Sequence, residues 1–191
     1  NVFRCDVAIV GGGPAGCAAA IAAARAGADV RLFEAENAFG GLGTMGGVPL
    51  FMNFGDASHF YADGIGREIR DRHAAEGVIH GNPNGINAER LKRIYDELLE
   101  AAGVKMQLMT MLIGVRKQGT RIGDAILHTR GGLCAVEAGV FIDATGDAAL
   151  AAMAGGETVA GDGDGHFMPG TLCSGWSHID WDAYEAQPGN R

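Results

Sequence analysis

Three glycines, Gly11, Gly13 and Gly16, form a G-x-G-x-x-G pattern directly after the short apolar segment of residues 7–10. This spacing predicts a strand, a tight turn and the start of a helix. Gly11 would permit the turn, Gly13 would let a pyrophosphate approach the backbone, and Gly16 would let the helix pack close to the strand. Because the N–H groups and the positive dipole end of that helix face the turn, we expect the segment to bind an anion such as a diphosphate.

The residues that flank the glycines strengthen this prediction. Pro14 suits the first turn of a helix, where its missing N–H costs nothing, and Gly27 is typical of a residue just after a helix. Val30 then enters a second strand, and Glu34 ends it. Glu34 lies near the roughly 20-residue offset at which a carboxylate binds a pair of ribose hydroxyls in such folds. The alternative is a glycine-capped helix with an incidental glutamate, and the number of agreeing positions disfavours it.

A second glycine-rich stretch, residues 40–47, follows Glu34 and contains too much glycine for regular structure. In a fold whose first glycine turn holds a diphosphate, the amides of this loop would line the far half of the ligand, with the Thr44 hydroxyl as an extra donor. The alternative is an ordinary flexible surface loop.

A third candidate segment lies after a buried strand of its own, residues 139–143. This strand runs directly into Thr145, Gly146 and Asp147 before an alanine-rich helix. Ligands of open α/β sheets bind at the carboxyl ends of such strands, so these residues are expected at the same site. Asp147 is either a plain helix N-cap or a ligand contact, since both roles give the same sequence.

The pattern as a whole predicts an α/β fold, with a parallel sheet, helices on both sides and an antiparallel hairpin insert. Amphipathic spacing predicts a helix over residues 60–75, and Asn87 is expected to cap a second helix that Gly103 ends. A strand over residues 104–108 follows. Short alternating segments then predict a small antiparallel meander, which is the insert over about residues 113–137.

Composition narrows the range of partners. The chain has 191 residues and a net charge of −8, and its basic residues are scattered, so a nucleic-acid partner is excluded. Four cysteines lie far apart, with no C-x-x-C spacing and no clustered histidines, which predicts reduced thiols, a cytoplasmic location and no metal site. No apolar run approaches the roughly 20 residues that a membrane span requires.

Together these motifs resemble the FAD-dependent oxidoreductase family related to the fumarate reductase and succinate dehydrogenase flavoproteins. The similarity covers nearly the whole chain and includes Leu150, Gly155, Gly156 and the segments 168–172 and 180–182. The first glycine fingerprint is shared by many nucleotide-binding folds. Its combination with an Ala-Thr-Gly-Asp turn after a hairpin insert is fairly specific for FAD.

The resemblance implies a Rossmann-like FAD/NAD(P)-binding domain over residues 1–160 and the start of a truncated substrate domain over residues 161–191. Family members are considerably longer, so we expect the chain to be an N-terminal fragment without the catalytic acid and the substrate clamp. FAD would be bound noncovalently, because residues 40–47 contain no histidine for covalent attachment. The flavin ring would carry the hydride or electron chemistry, with a small-molecule substrate or electron acceptor as partner.

The resemblance also assigns roles to individual residues. Glu34 would bind the adenosine ribose, and the backbone near Leu112 would meet the adenine. The FAD diphosphate would be held by Gly11, Gly13, Pro14, Ala15 and Gly16. The path toward the flavin would be lined by Gly40, Gly41 and Thr44, and the residues packed on the cofactor would be Thr145, Gly146 and Asp147.

Two alternatives stay open from the sequence. An NAD(P)-dependent dehydrogenase shares the first fingerprint, although the hairpin insert and the second glycine turn argue against it. A noncatalytic dinucleotide-binding module would bind FAD without turnover. The histidines His59, His166 and His178 are weak catalytic candidates. No residue pattern indicates a substrate or an oligomeric state.

Overall fold

A computed structural model describes residues 1–52, 55–56, 59, 61–77, 79, 82 and 84–187 of the chain. The strands are β1 (Val2–Val10), β2 (Val30–Phe33), β3 (Lys105–Gln107), β4 (Met111–Gln118), β5 (Arg121–Thr129) and β6 (Gly132–Asp143). The helices are α1 (Pro14–Arg25), α2 (Ile65–Ala75), α3 (Ala88–Ala101), α4 (Ala149–Met153) and α5 (Trp181–Glu185). The strands form one six-stranded sheet in the order β3-β2-β1-β6-β5-β4. Within the described ranges, no helix combines the length and the apolar character needed to cross a membrane.

Strands β1, β2, β3 and β6 run parallel, so their carboxyl ends lie at one edge of the sheet. Val10 of β1 is in register with Phe33 of β2 and with Asp143 of β6. The segments that follow these residues therefore leave the sheet side by side. This places the first glycine turn, Glu34 and the turn after β6 together, at the edge where open α/β sheets bind ligands.

Alternation along β1 divides the apolar core between the two faces of the sheet. Ile9 belongs to a core that includes side chains of α1, α2 and α3, among them Ile21 and Leu98. Ala8 belongs to a second core, which Leu127 of β5 and Leu150 of α4 complete. Helices therefore pack on both faces, and the α/β fold class predicted from the sequence is confirmed.

Helix boundaries follow the capping residues predicted from the sequence, with one difference. Gly27 lies just beyond the end of α1 with a φ of +94°, a conformation that favours glycine. The Asn87 side chain accepts the Arg90 N–H at 3.0 Å and so caps α3. Helix α2 begins at Ile65 and not at residue 60, which lies outside the described residues.

The predicted boundary between the meander and the last strand differs from the structure. Residues 133–137 and 139–143 belong to one continuous strand, β6, because β1 pairs with it from Ala135 to Asp143. Strand β5 pairs antiparallel with β6, and β4 pairs antiparallel with β5. The hairpin insert therefore continues the sheet that carries the parallel strands.

The buried histidine His73 of α2 fixes the start of α3. Its side chain is 1% exposed, and its Nε2 accepts the Asn87 N–H at 3.0 Å. The ring also lies edge-on to Phe51, with 5.6 Å between ring centroids. Burial lowers the pKa of His73, and the positive charge of Arg90 adds to this effect, while the Asn87 carbonyl oxygen, 3.4 Å from Nε2, and the Glu76 carboxylate oppose it. His73 is therefore held in its neutral form.

This arrangement predicts a loss of stability in mild acid. The pKa of His73 is lowered in the folded protein, so below pH 6.5, its ordinary value, the unfolded chain takes up the proton first. The free energy of unfolding should then fall by up to about 1.4 kcal/mol per pH unit until His73 itself titrates in the folded state. Urea denaturation of the wild type and of His73→Asn between pH 5 and 8 measures this slope. The variant should lose it, whereas substitution of the exposed His128 by asparagine should leave the slope unchanged.

Candidate functional site

A cleft with a volume of about 1280 Å³ lies at the carboxyl ends of β1, β2 and β6. Ligand pockets usually measure about 300–1,000 Å³, so this cleft has room for a ligand of dinucleotide size. Parts of several segments line it: the first glycine turn, the end of β2, the loop of residues 41–46, the start of β4 and the segment after β6. The sequence motifs identified all of these segments except the start of β4, which only the family resemblance implies through Leu112.

The first glycine turn has the close contacts that its spacing predicts. Gly11 has a φ of +96°, and a Cβ atom there would lie 2.2 Å from the carbonyl oxygen of Ala144. A Cβ atom at Gly16 would lie 1.8 Å from the Gly11 carbonyl oxygen, so α1 packs against the turn more closely than any side chain allows. At Gly13, nothing lies within 4 Å of the Cβ position. Gly13 lines the cleft, so its bare backbone is open to a ligand.

The start of α1 presents backbone donors to this cleft. The first helical hydrogen bond runs from the Cys17 N–H to the Gly13 carbonyl oxygen at 2.9 Å. The N–H groups of Gly13 and Ala15, which line the cleft, and of Gly16, which is buried and does not line it, precede that bond, at positions where helices leave donors for other partners. Pro14 has no N–H to offer. With the positive end of the helix dipole, these donors can bind a diphosphate.

The Glu34 carboxylate is held firmly at the end of β2. Its Oε2 accepts the Gly12 N–H at 2.5 Å, and its Oε1 accepts the Glu36 N–H at 2.8 Å. The side chain therefore joins the first glycine turn to the segment after β2, and it lines the cleft. A carboxylate at this position can accept hydrogen bonds from ribose hydroxyls, as the sequence predicts.

The loop of residues 40–47 contains a short 3-10 helix, Gly41–Gly43, so the prediction that it holds no regular structure is wrong, and it contributes less directly to the cleft than predicted. Gly41 lines the cleft, and a Cβ atom there would lie 3.0 Å from the Gly13 Cα. Gly40 is buried, and its N–H donates to the Gly12 carbonyl oxygen at 2.8 Å. The Thr44 hydroxyl donates to the Phe39 carbonyl oxygen at 2.8 Å, and Thr44 is only 6% exposed. The expectation that the Thr44 hydroxyl donates to a ligand is therefore corrected. Its proton is used in the hydrogen bond to Phe39, which joins the two ends of residues 39–44.

The turn after β6 lines the cleft with Thr145, Gly146 and Asp147. Asp147 is exposed and does not cap α4, whose N-cap is Ala148 without a side-chain hydrogen bond. The Thr145 hydroxyl instead accepts the Ala149 N–H at 2.9 Å. The N-cap interpretation of Asp147 is therefore wrong, and its carboxylate lies exposed at the cleft.

Several lining residues were missed by sequence reasoning. Leu112 of β4, which the resemblance places beside the adenine, lines the cleft, and Met111 and Thr110 beside it do so too. On the other side of the cleft, Leu42 and Met45 are lining residues that are 69% and 41% exposed. Large apolar side chains inside a glycine-rich loop are the signal that could have identified them, since exposed apolar groups often mark ligand contacts.

The charged side chains that line the cleft are negative. Within the described part of the chain, the charged side chains that line it are all carboxylates: Glu34, Glu36, Asp143 and Asp147. The cleft therefore offers an anionic ligand its backbone N–H groups and the α1 dipole, without a lysine or arginine from these residues. Glu34 and Glu36, the two carboxylates at the ribose end, would also repel an additional phosphate there.

Among the described residues, no cysteine or histidine lines the cleft. Cys17 donates from Sγ to the Gly12 carbonyl oxygen at 3.1 Å, and burial raises the pKa of its thiol to about 12. The thiol is therefore unreactive at neutral pH. The cleft lining includes none of the candidate histidines His59, His166 and His178. Among the described residues, no group of three or more His, Cys, Asp or Glu side chains could hold a metal ion.

Fold and site together define a class of protein. A parallel sheet leads through a G-x-G-x-x-G turn into a helix, and a fixed carboxylate ends the second strand, which is the arrangement of a Rossmann-like dinucleotide-binding domain. The profile of the family described as FAD dependent oxidoreductase matches residues 6–190. The chain belongs to the FAD dependent oxidoreductase family. Its cofactor is FAD, and it is the FAD-binding part of a flavin-dependent oxidoreductase. This finding decides against the NAD(P) alternative.

Solved structures share the fold at low sequence identity. THI4 of Thermovibrio ammonificans is 24% identical, with a TM-score of 0.57 over 81% of this chain and 64% of that protein. A geranylgeranyl bacteriochlorophyll reductase-like protein of Thermoplasma acidophilum is 23% identical, with a TM-score of 0.51 over 75% and 40% of the two chains. The myxobacterial chondrochloren halogenase CndH, described as an FAD-dependent halogenase, is 17% identical, with a TM-score of 0.52 over 76% and 38%.

These similarities establish the fold alone, because each lies below 25% identity. The chain spans between 38% and 64% of the length of these three proteins. A comparison with curated proteins finds no significant match.

Proposed function

We propose that the complete protein binds FAD noncovalently in this cleft and transfers a hydride or electrons between a small-molecule substrate and an acceptor. The observation that supports this most is the convergence of the α1 N-terminus, the Glu34 carboxylate and the turn after β6 on one cleft of dinucleotide size. FAD supplies the redox chemistry through its isoalloxazine ring. The chain supplies binding and orientation.

The residues present fit FAD at each part of the cleft. The N–H groups of Gly13, Ala15 and Gly16 would hold the diphosphate, since they precede the first helical bond. Glu34 would accept hydrogen bonds from the adenosine ribose, and the start of β4 at Leu112 would lie beside the adenine. On the flavin side, Gly41 and the turn of residues 145–147 would contact the cofactor.

Noncovalent binding is supported by the composition of the glycine loop. Residues 40–47 contain no histidine, and Thr44, the one hydroxyl of this segment, is engaged with the Phe39 carbonyl oxygen. No nucleophilic side chain of the loop is therefore free to attach the flavin. We also propose a relationship to the fumarate reductase and succinate dehydrogenase flavoproteins, supported by the Ala-Thr-Gly-Asp turn that follows the hairpin insert.

A division into two domains is part of the same proposal. Residues 1–160 would form the FAD-binding domain, and residues 161–191 would begin a substrate domain. In support of this division, residues 155–187 are exposed apart from the half-buried Cys173. A cytoplasmic location also stays a proposal, and the free state of all four cysteines supports it.

An absorption spectrum of the purified complete protein tests the proposed function. We expect an oxidised-flavin band that stays with the native protein during removal of unbound cofactor and passes into the supernatant after denaturation. Colour that stays with the precipitate would contradict noncovalent attachment. A colourless protein that also takes up no added FAD would contradict the assignment of the cleft. Steady-state oxidation of the bound flavin by candidate acceptors, after reduction, then distinguishes an enzyme from a noncatalytic binding module.

A further inference from the structure

Asp143, the last residue of β6, makes hydrogen bonds with both of its carboxylate oxygens. Oδ1 accepts the Thr145 N–H at 3.0 Å and the Thr145 hydroxyl at 2.7 Å. Oδ2 accepts the Ala151 N–H of α4 at 2.8 Å. The carboxylate therefore ties together the end of β6, the turn after it and the short helix that follows.

The turn held by Asp143 packs directly on the first glycine turn. The Ala144 N–H donates to the Val10 carbonyl oxygen at 2.8 Å. A Cβ atom at Gly11 would lie 2.2 Å from the Ala144 carbonyl oxygen, and one at Gly16 would lie 3.2 Å from the Ala144 Cβ. The two turns are therefore in backbone contact, and a displacement of the second would move the surface that receives the cofactor diphosphate.

The same turn contains backbone conformations that require support. Gly146 has a φ of +82°, and Ala148 has a φ of +54°, in the left-handed region that an alanine rarely adopts. The Thr145 hydroxyl, just before these residues, donates to Asp143 and accepts the Ala149 N–H, just after them, at 2.9 Å. These hydrogen bonds connect Asp143, Thr145 and Ala149, which lie on both sides of Ala148, and so stabilise the conformation of Ala148.

We propose that Asp143 is a positioning residue for FAD, whose carboxylate holds residues 144–148 in the conformation that the bound cofactor requires. This inference rests on the proposed function, because it concerns the same cleft. Asp143 acts through the turn, not through contact with the reacting ring. Burial raises the pKa of this carboxyl group, but the hydrogen bonds from Ala151, Thr145 and Leu150 outweigh it and lower the pKa. The acceptor is therefore ionised at neutral pH.

Substitution of Asp143 by asparagine tests this role in the complete protein. Asparagine keeps the size of the side chain but replaces one acceptor oxygen by an NH2 donor, so the Thr145 or the Ala151 hydrogen bond is lost. We expect the affinity for FAD, measured by flavin fluorescence, to fall at least about tenfold, since hydrogen bonds to charged groups are the strong ones. The visible spectrum of the bound flavin should also shift, because the turn that lines the cleft is displaced.

A second substitution separates positioning from folding. Ala148→Gly removes the cost of the left-handed conformation. Added to Asp143→Asn, it should raise the affinity for FAD at least about threefold over that of the single variant. Asp162→Asn is the matched control. Asp162 also accepts backbone N–H groups, from Asp164 and His166, but it lies outside the cleft lining and its loss should leave FAD affinity unchanged.

Three results would overturn the inference. FAD affinity within twofold of wild type in Asp143→Asn would remove the positioning role while leaving the proposed function intact. In the second result, the affinity falls because the FAD-free variant is unfolded, as measured by circular dichroism, and Ala148→Gly does not restore it. This result would show that Asp143 contributes to folding and not to the positioning of FAD. A wild-type protein that binds no FAD would overturn both the inference and the proposed function.

Discussion

Replacement of Gly13 by aspartate should weaken FAD binding strongly and leave the fold intact. The Cβ position of Gly13 has nothing within 4 Å, and its φ of −68° suits any L-residue. Gly13 is the N-cap of α1, and aspartate is among the preferred N-cap residues. The new side chain therefore costs the folded protein little and can even stabilise the helix.

The same carboxylate would occupy the place of the cofactor diphosphate. As an N-cap it would accept the N–H groups at the start of α1, which are the donors that the diphosphate needs. It would also place a negative charge beside the diphosphate, in a cleft whose charged lining residues in the described chain are already acidic. Like charges at close range cost several kcal/mol, so affinity should fall about 100-fold or more.

Titration of the FAD-free protein with FAD, followed by flavin fluorescence, measures this loss. Thermal denaturation of the same samples without FAD should give a melting temperature equal to or above that of the wild type. Gly170→Asp is the matched control, because Gly170 is exposed and also has nothing within 4 Å of its Cβ position. Wild-type affinity in Gly13→Asp would show that the diphosphate does not bind at the start of α1.

The elements that carry the site were predictable because their signals are local in sequence. A tight turn at Gly11, a helix that starts at Pro14 and a cap at Asn87 each depend on the conformations open to a few neighbouring residues. The position of Glu34 follows from the lengths of α1 and β2. Tertiary contacts leave these local conformations unchanged, so the predictions made from the neighbouring residues hold in the folded protein.

The features that sequence reasoning missed depend on tertiary contacts. The Thr44 hydroxyl could have faced either the ligand or the backbone, and the closure of the loop onto Phe39 decides between the two. The sequence predicted one strand that ends at Glu137 and another that begins at Gly139, whereas parallel pairing with β1 from Ala135 to Asp143 makes them one strand. No local pattern reports these pairings, because each joins residues brought together only by the fold.

The second large effect is expected from Gly16→Ala, which should destabilise the protein itself. The added methyl group would lie 1.8 Å from the Gly11 carbonyl oxygen and 3.2 Å from the Ala144 Cβ, so α1 must move away from both turns. Overpacking of this kind costs about 1–3 kcal/mol and occasionally more, and contact with backbone favours the upper end. The gain of about 0.5–1 kcal/mol from replacing a helical glycine offsets only part of this.

Denaturation of the FAD-free and FAD-saturated forms of Gly16→Ala measures both consequences. We expect a loss of about 2 kcal/mol or more, or about 4–8 °C in melting temperature for a chain of this size, together with weaker FAD binding because the displaced helix carries the diphosphate donors. Gly13→Ala makes the same chemical change in the same turn, and its methyl group meets nothing within 4 Å. Alanine is a poorer N-cap than glycine, so the stability of Gly13→Ala should fall by no more than about 1 kcal/mol. Equal melting of the two variants would mean that the close approach of α1 to the first glycine turn is not what holds this site together.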